Sequence, residues 1–280
     1  MRIPKAALTG AVCLGLAAVL TACGSGEDPD AGTNGVGRLS AAAIQTKARE
    51  AARSARTVHL SGNVVSQGRT YRLDMRLKDN GGTGSVASDA TTFELLRVGD
   101  QMYVKAGAGF WSAGGGPAPA AGGAGKGEKS RGDSTAAAAK LADKYVKVHS
   151  GDPSYQQFRG FTDKNVLLDG LLGLHGALTR GEHGTVGGAR TIRVSGAGGA
   201  GDAGTLDVSL KGEPYPLRVQ RAGGAGQLEL TDWGKDFALD VPPKEQTVDY
   251  GTRVPGVTPS PSATPDKPGG GAGSAIGNGG

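Results

Sequence analysis

Tyr71-Arg72-Leu73-Asp74-Met75-Arg76-Leu77-Lys78 places an apolar side chain at every odd position and a charged one at every even position. Alternate side chains of an extended chain point to opposite faces, so this stretch is a strand with one greasy face and one wet face. Upstream, Val58, Leu60, Gly62 and Val64 alternate with Thr57, His59, Ser61 and Asn63. A short turn at Ser66–Arg69 joins the two runs into a hairpin. Downstream, Asn80-Gly81-Gly82 supplies a turn, and residues 83–88, 91–98 and 101–106 continue the meander, with Gly99-Asp100 turning before Met102 and Val104. A second block repeats the pattern: Ile192/Val194, Leu206/Val208/Leu210, Leu217/Val219 and Leu228/Leu230 each alternate with polar neighbours. Tyr145–Val148 reads as one more short strand. No βαβ repeat occurs, so the strands are expected to pair antiparallel.

Helical periods lie before and between the blocks. Over residues 40–56, Ile44, Ala48, Ala51, Ala52 and Ala55 form a stripe, Lys47, Arg49, Glu50, Arg53 and Arg56 take the opposite face, and Ser40 stands at the cap position. Residues 134–144 are Ala-rich, with Ser134 as their cap. Asp163 opens a helix carrying Val166, Leu167, Leu168, Leu171, Leu172 and Leu174, which is more apolar than a surface helix should be. The fold class is therefore α+β. Its core is an antiparallel sheet of about nine strands, and a twisted sheet of that size curls. All helices must lie on its single apolar face, giving a curved half-barrel that wraps them.

Glycine marks the boundaries. The 51 glycines of the 280 residues concentrate in tracts. Residues 113–133 read as a loop that buries nothing, residues 251–280 as a disordered Gly/Pro/Ser tail, and residues 23–38 as a flexible tether. Between them, residues 39–250 form one domain, with 113–133 inserted.

The N-terminus carries an address. Arg2 and Lys5 precede an apolar run from Ala6 to Leu20, and Leu20-Thr21-Ala22-Cys23 reads as a lipobox. That run has about 15 residues, where a spanning helix needs about 20, so residues 1–22 are expected to be a signal peptide that is removed. Cys23 then begins the mature chain and bears a diacylglyceryl group, which places the protein outside the cytoplasm on the outer face of the cell membrane. Loss of Arg2 and Lys5 lowers the formal charge of +5 by two. No Lys/Arg cluster of the kind that grips nucleic acid occurs. Cys13 leaves with the signal, so no thiol remains for a disulfide, a metal or a nucleophile.

Motifs that suggest chemistry have plainer readings. Gly196-Ala197-Gly198-Gly199-Ala200-Gly201 matches G-x-G-x-x-G, but strand sequence follows it where a nucleotide site needs a helix. His59, His149, His175 and His183 show no ligand spacing. Asp232 and Asp236 flank Trp233 and read as a turn, and Arg131-Gly132-Asp133 sits in low-complexity sequence. Phe110-Trp111 reads as a core pair at a strand end. No nucleophile is paired with a base, so no enzymatic activity, metal or cofactor is expected.

Thr57–Gly62 (TVHLSG), Arg97–Trp111 (RVGDQMYVKAGAGFW), Pro214–Val219 (PYPLRV) and Asp232–Lys235 (DWGK) resemble the LppX/LprG-type bacterial lipoproteins, and the likeness covers most of residues 40–250. Lipobox, helix, meander, helices and second strand block come in the same order. This resemblance implies the LolA/LolB-like fold, a cavity that accepts acyl chains, and carriage of lipids or lipoglycans across the cell envelope, with no catalytic residue or cofactor. The long 113–133 insertion, the tail and an aromatic content of 5% depart from it.

Two functions follow. The first is a lipid-binding lipoprotein whose concave face (Leu60, Val64, Leu73, Met75, Leu77, Phe93, Leu95, Met102 and Val104) and Leu-rich helix (Leu168, Leu171 and Leu172) line an apolar pocket. Its partners are the membrane, through Cys23, an acyl-chain ligand, and a membrane transporter as a candidate. The second is a structural or signalling lipoprotein that binds a protein partner and fills its sheet with its own side chains.

Overall fold

The structure, a computed structural model, describes residues 28–66, 68–89, 91–112, 130–198 and 203–251. Five helices and twelve strands occur among them. Helix α1 (Ala41–Ser54) leads into β1 (Thr57–Ser66), β2 (Arg69–Lys78), β3 (Gly81–Ala87), β4 (Thr92–Val98) and β5 (Gln101–Ala106). Then come α2 (Ala108–Ser112), α3 (Ser130–Leu141), β6 (Tyr145–Val148), α4 (Pro153–Thr162) and α5 (Lys164–Leu172). The chain closes with β7 (Leu178–Val186), β8 (Ala189–Gly196), β9 (Gly204–Ser209), β10 (Pro216–Arg221), β11 (Gly226–Thr231) and β12 (Thr247–Asp249).

All twelve strands join one open sheet in the order β12-β6-β5-β4-β3-β2-β1-β11-β10-β9-β8-β7. Its two blocks meet where β1 pairs with β11, Leu60 opposite Leu230. The register explains why alternation was a sound guide. Leu60 faces Met75 in β2 and Leu73 faces Val86 in β3. Leu95 faces Val104, and Val104 faces Val146. On the other side Val219 links Leu228 to Leu206, and Leu206 faces Val194. Every one of these side chains lies on the same face, and together they form one buried core with Ile44, Ala48 and Ala52 of α1, Phe158 of α4 and Leu168 and Leu172 of α5.

The helices divide that face between them. Helix α1 packs over β7–β10, α4 over β2–β5, and α5 touches α1, α4 and β10. Ser40 caps α1 by accepting from the Ala43 N–H, and Asp163 caps α5 by accepting from the Asn165 and Val166 N–H groups.

Several expectations need correction. The sheet has twelve strands, and it is mixed, because β12 runs parallel to β6. Strand β7 escaped notice because nearly all its residues are exposed and its inward positions are polar: Arg180 pairs with Val194 and His183 with Ile192. Helix α4 was also missed, although Asp152-Pro153 is a cap followed by Pro at the first helical position. Phe110 and Trp111 sit in the short helix α2, not at a strand end. They are core residues all the same: Phe110 lies 5.0 Å from the Phe93 ring, and the Trp111 indole N–H donates to the Ala106 carbonyl at 3.2 Å. Helix α3 begins at Ser130, so the last residues of the expected 113–133 loop are helical, and Ser134 lies inside the helix.

The expected tether also differs. Residues 28–38 lie across the inner side of β7 and the nearby ends of β8 and β9, ending in a 3-10 turn (Val36–Arg38) with Val36 in the core. Asn34 donates to the Ser209 carbonyl at 3.0 Å and the Gly212 carbonyl at 2.9 Å. Arg180 donates to the Gly37 carbonyl at 2.8 Å, and His183 Nε2 lies 3.0 Å from the Asp30 carboxylate. This strap covers the polar inward side chains of β7 and gives them partners. Cys23, the lipobox, most of the insertion and the tail lie outside the described residues.

Candidate functional site

Of the twelve side chains expected to line a pocket, Leu60, Leu73, Met75, Leu77, Phe93, Leu95, Met102, Val104, Leu168 and Leu172 are buried against one another in the core. Val64 and Leu171 are partly buried and pack on it. The sheet face and α5 are thus brought together as one apolar layer.

Helix α5 buries Leu168 and Leu172 in the core, whereas Leu167 and Leu171 are partly covered and Val166 is 58% exposed. Its polar attachments lie at both ends and at Asp169. At the start, the Lys164 ammonium bonds to the Ala55 carbonyl, the Arg53 carbonyl (3.2 Å) and the Asp79 carboxylate (2.7 Å). At the finish, the Gln45 amide N–H donates to the Leu172 and Leu174 carbonyls at 3.3 and 3.2 Å, and Arg221 donates to the Gly170 and Leu171 carbonyls at 2.8 and 3.0 Å. Arg97, an inward residue of β4, ties the end of α4 to the sheet by donating to the Thr162 carbonyl at 2.8 Å and the Gly99 carbonyl at 3.0 Å.

The surface clefts have a different lining. One of about 660 Å³ runs along the uncovered face at the ends of β1, β11, β10, β9 and β8, where Asn63, Gln227, Gln220, Thr205 and Ser195 stand in register. Another, of about 340 Å³, lies beside the polar side of α1, between Gln45, Arg49, Arg53 and Leu178. Two guanidiniums meet one carboxylate there: Arg53 binds Asp169 at 2.8 Å and Arg49 approaches it at 3.5 Å. A third, of about 160 Å³, is bordered by His59, Arg76, Asp232 and Lys235.

The remaining motif residues are structural. Gly196 ends β8 and Gly204 begins the antiparallel β9, so strand follows the G-x-G-x-x-G run; residues 199–202 of it lie outside the described residues. His59 bonds Asp74 at 2.8 Å and His149 bonds Asp249 at 2.6 Å. Asp232 and Asp236 bracket a turn closed by the Lys235 N–H bond to the Asp232 carbonyl. Among the described residues, no group of three or more His, Cys, Asp or Glu is placed to hold a metal ion, and no helix is long and apolar enough to cross a membrane.

Local charge shifts follow the same contacts. The Asp249 carboxyl is held below its ordinary range, first by the His149 hydrogen bond and then by the Gly251 N–H. Asp28, in the strap, is lowered by the Asp30 N–H and then by Arg38. A carboxylate with a depressed value stabilises the fold above its unfolded pKa and loses that contribution as pH falls through the folded one. Acid therefore weakens the contacts that Asp249 makes at the end of β12 and that Asp28 makes in the strap.

No protein-family model matches the chain, and no curated protein matches it. It is similar to solved structures. One is LprF from Mycobacterium bovis, at 15% identity, covering 72% of this chain and 96% of that one with a TM-score of 0.47. Another is the Mycobacterium tuberculosis lipoprotein LppX, at 14% identity, covering 71% and 98% with a TM-score of 0.42.

Proposed function

We propose that the protein is a non-enzymatic, extracytoplasmic lipoprotein, anchored by a diacylglyceryl group on Cys23 to the outer face of the cell membrane, that takes an acyl chain between its sheet and α5. In this reading the sheet wraps its helices as a half-barrel, and residues 28–250 form the lipid-binding unit. The observation that carries the proposal is the seam at α5. This helix buries Leu168 and Leu172, leaves Val166 exposed to solvent, and is tied to its neighbours by polar contacts at its ends and at Asp169. Lifting α5 exposes Leu168, Leu172 and the sheet beneath, and an acyl chain restores the lost burial at about 0.8 kcal/mol per methylene. For Leu60, Val64, Leu73, Met75, Leu77, Phe93, Leu95, Met102 and Val104 to meet the chain, together with Leu171, α4, which covers β2–β5 and touches α5, would have to lift with it. A lipid anchor keeps the seam close to the bilayer and raises the effective concentration of cargo. Delivery across the envelope and a transporter that receives the cargo belong to the same proposal.

The test is direct. The full chain, purified in detergent, is extracted with organic solvent, and both the extract and the N-terminal peptide are weighed by mass spectrometry. An acylated Cys23 and about one lipid per chain beyond the anchor are expected. An acylated chain with no further lipid would sink the carrier reading and leave the second one, a lipoprotein that binds a protein partner. The closely filled core favours that alternative, since ten of the expected pocket residues already bury one another.

A further inference from the structure

The cleft beside α1 holds polar atoms without partners. Gln45 is 7% exposed, and its amide nitrogen is used twice on the end of α5, yet its carbonyl oxygen Oε1 is buried and accepts nothing among the described residues. The Arg49 Nε is likewise buried and donates to nothing. A buried polar atom without a partner is costly, and the two residues that carry these atoms line the same cleft of about 340 Å³. One is an acceptor that wants a donor. The other is a donor, fixed in a guanidinium, that wants an acceptor.

The charges point the same way. Arg49 and Arg53 share one oxygen of one carboxylate, Asp169, at 3.5 and 2.8 Å. Glu50, which also borders the cleft, is engaged by Lys47 at 2.8 Å. The cleft therefore keeps an unbalanced positive charge beside an orphan amide oxygen. A planar guanidinium matches two oxygens of a phosphate. A hydroxyl next to that phosphate is the donor that Gln45 lacks. The position also fits, because Gln45 touches the end of α5 and Asp169 lies on α5 itself.

We infer that this cleft binds an anionic phosphodiester that carries a neighbouring hydroxyl, as in a lipid with a phosphoglycerol headgroup. Arg49 and Arg53 hold the phosphate and Gln45 Oε1 accepts from the hydroxyl, while the acyl chain passes under α5. The inference rests on the proposed lipid binding and names the class of lipid.

The full chain in detergent is mixed with micelles holding equal amounts of phosphatidylglycerol, phosphatidylethanolamine and phosphatidylcholine, then washed on resin, and the retained lipid is counted by mass spectrometry. Phosphatidylglycerol should exceed phosphatidylcholine by about tenfold, the worth of one charge-assisted hydrogen bond. Arg49→Gln, at a half-exposed site with one long contact, should fold and abolish the preference. Gln45→Leu should reduce the preference for phosphatidylglycerol over phosphatidylcholine, whose headgroup has no hydrogen-bond donor. Retention of all three lipids in equal amounts, or a preference unchanged in Arg49→Gln, overturns the headgroup assignment while the lipid-binding reading stands. Retention of none overturns both. In a parallel arm, glycerol 3-phosphate at millimolar concentration should fail to displace the lipid; full displacement would reassign the cleft to a soluble phosphate.

Discussion

Lys164→Ala will destabilise the protein by about 3 kcal/mol, and Lys164→Met by less, about 2 kcal/mol. The side chain of Lys164 is completely buried. Its ammonium has three hydrogens and meets three acceptors: the carbonyls of Arg53 and Ala55 at the end of α1, and the carboxylate of Asp79 after β2. Helix ends leave carbonyls without partners, and this lysine supplies partners for two of them. Asp79 is 69% exposed, so water replaces the lysine there at little cost, and the ion pair itself is the smaller part of the effect. The larger part is the desolvated carbonyls, which methionine also abandons. Alanine additionally empties the space of the four-carbon stem. Urea denaturation followed by the fluorescence of Trp111 and Trp233 measures both variants. Equal costs would mean that the stem packs on nothing, and a cost below about 1 kcal/mol for alanine would mean that the carbonyls find other donors.

Lys164 also marks where sequence stops being informative. The strands were legible because period two is a local property, and Leu73, Met75 and Leu77 of β2 are buried while their charged neighbours are not. The core was legible for the same reason. Lys164 gave no such signal: it opens an apolar helix, and the backbone groups it bonds are 109 and 111 positions away. Arg97 is similar. It breaks the alternation of β4 by pointing inward, and the carbonyls of Thr162, 65 positions away, and of Gly99 give its guanidinium partners there. The candidate headgroup cleft was half legible. Arg49 and Arg53 were assigned correctly to the polar side of α1, but a polar helical face normally meets water. That it meets Asp169 and the end of α5 follows from helix packing, which no local pattern encodes. Strand β7 was hidden for a related reason, since its inward Arg180 and His183 are covered by residues read as a tether.

Gly62→Ala will cost about 3 kcal/mol, combining backbone strain with a collision, each worth roughly 1–3 kcal/mol. Gly62 adopts φ +141°, and a Cβ there would lie 2.2 Å from the Gln227 carbonyl oxygen and 3.0 Å from the Leu228 Cα. Those atoms belong to β11, whose pairing with β1 is the join between the two strand blocks. The obstacle is backbone, not the tip of a flexible side chain, so relief requires the ladder to open. Two reference variants separate the causes. Gly99 has φ +61° with open space around its Cβ position, so Gly99→Ala should show strain alone, about 1 kcal/mol. Gly151 has neither positive φ nor a neighbour, so Gly151→Ala should leave the urea midpoint almost unchanged. If Gly62→Ala matches Gly99→Ala, strain is the whole effect and β11 can move aside. The join would then be a hinge between the blocks rather than a fixed seam. Helix α5, which touches α1 over one block and α4 over the other, would then be opened by motion of the sheet instead of by lifting alone.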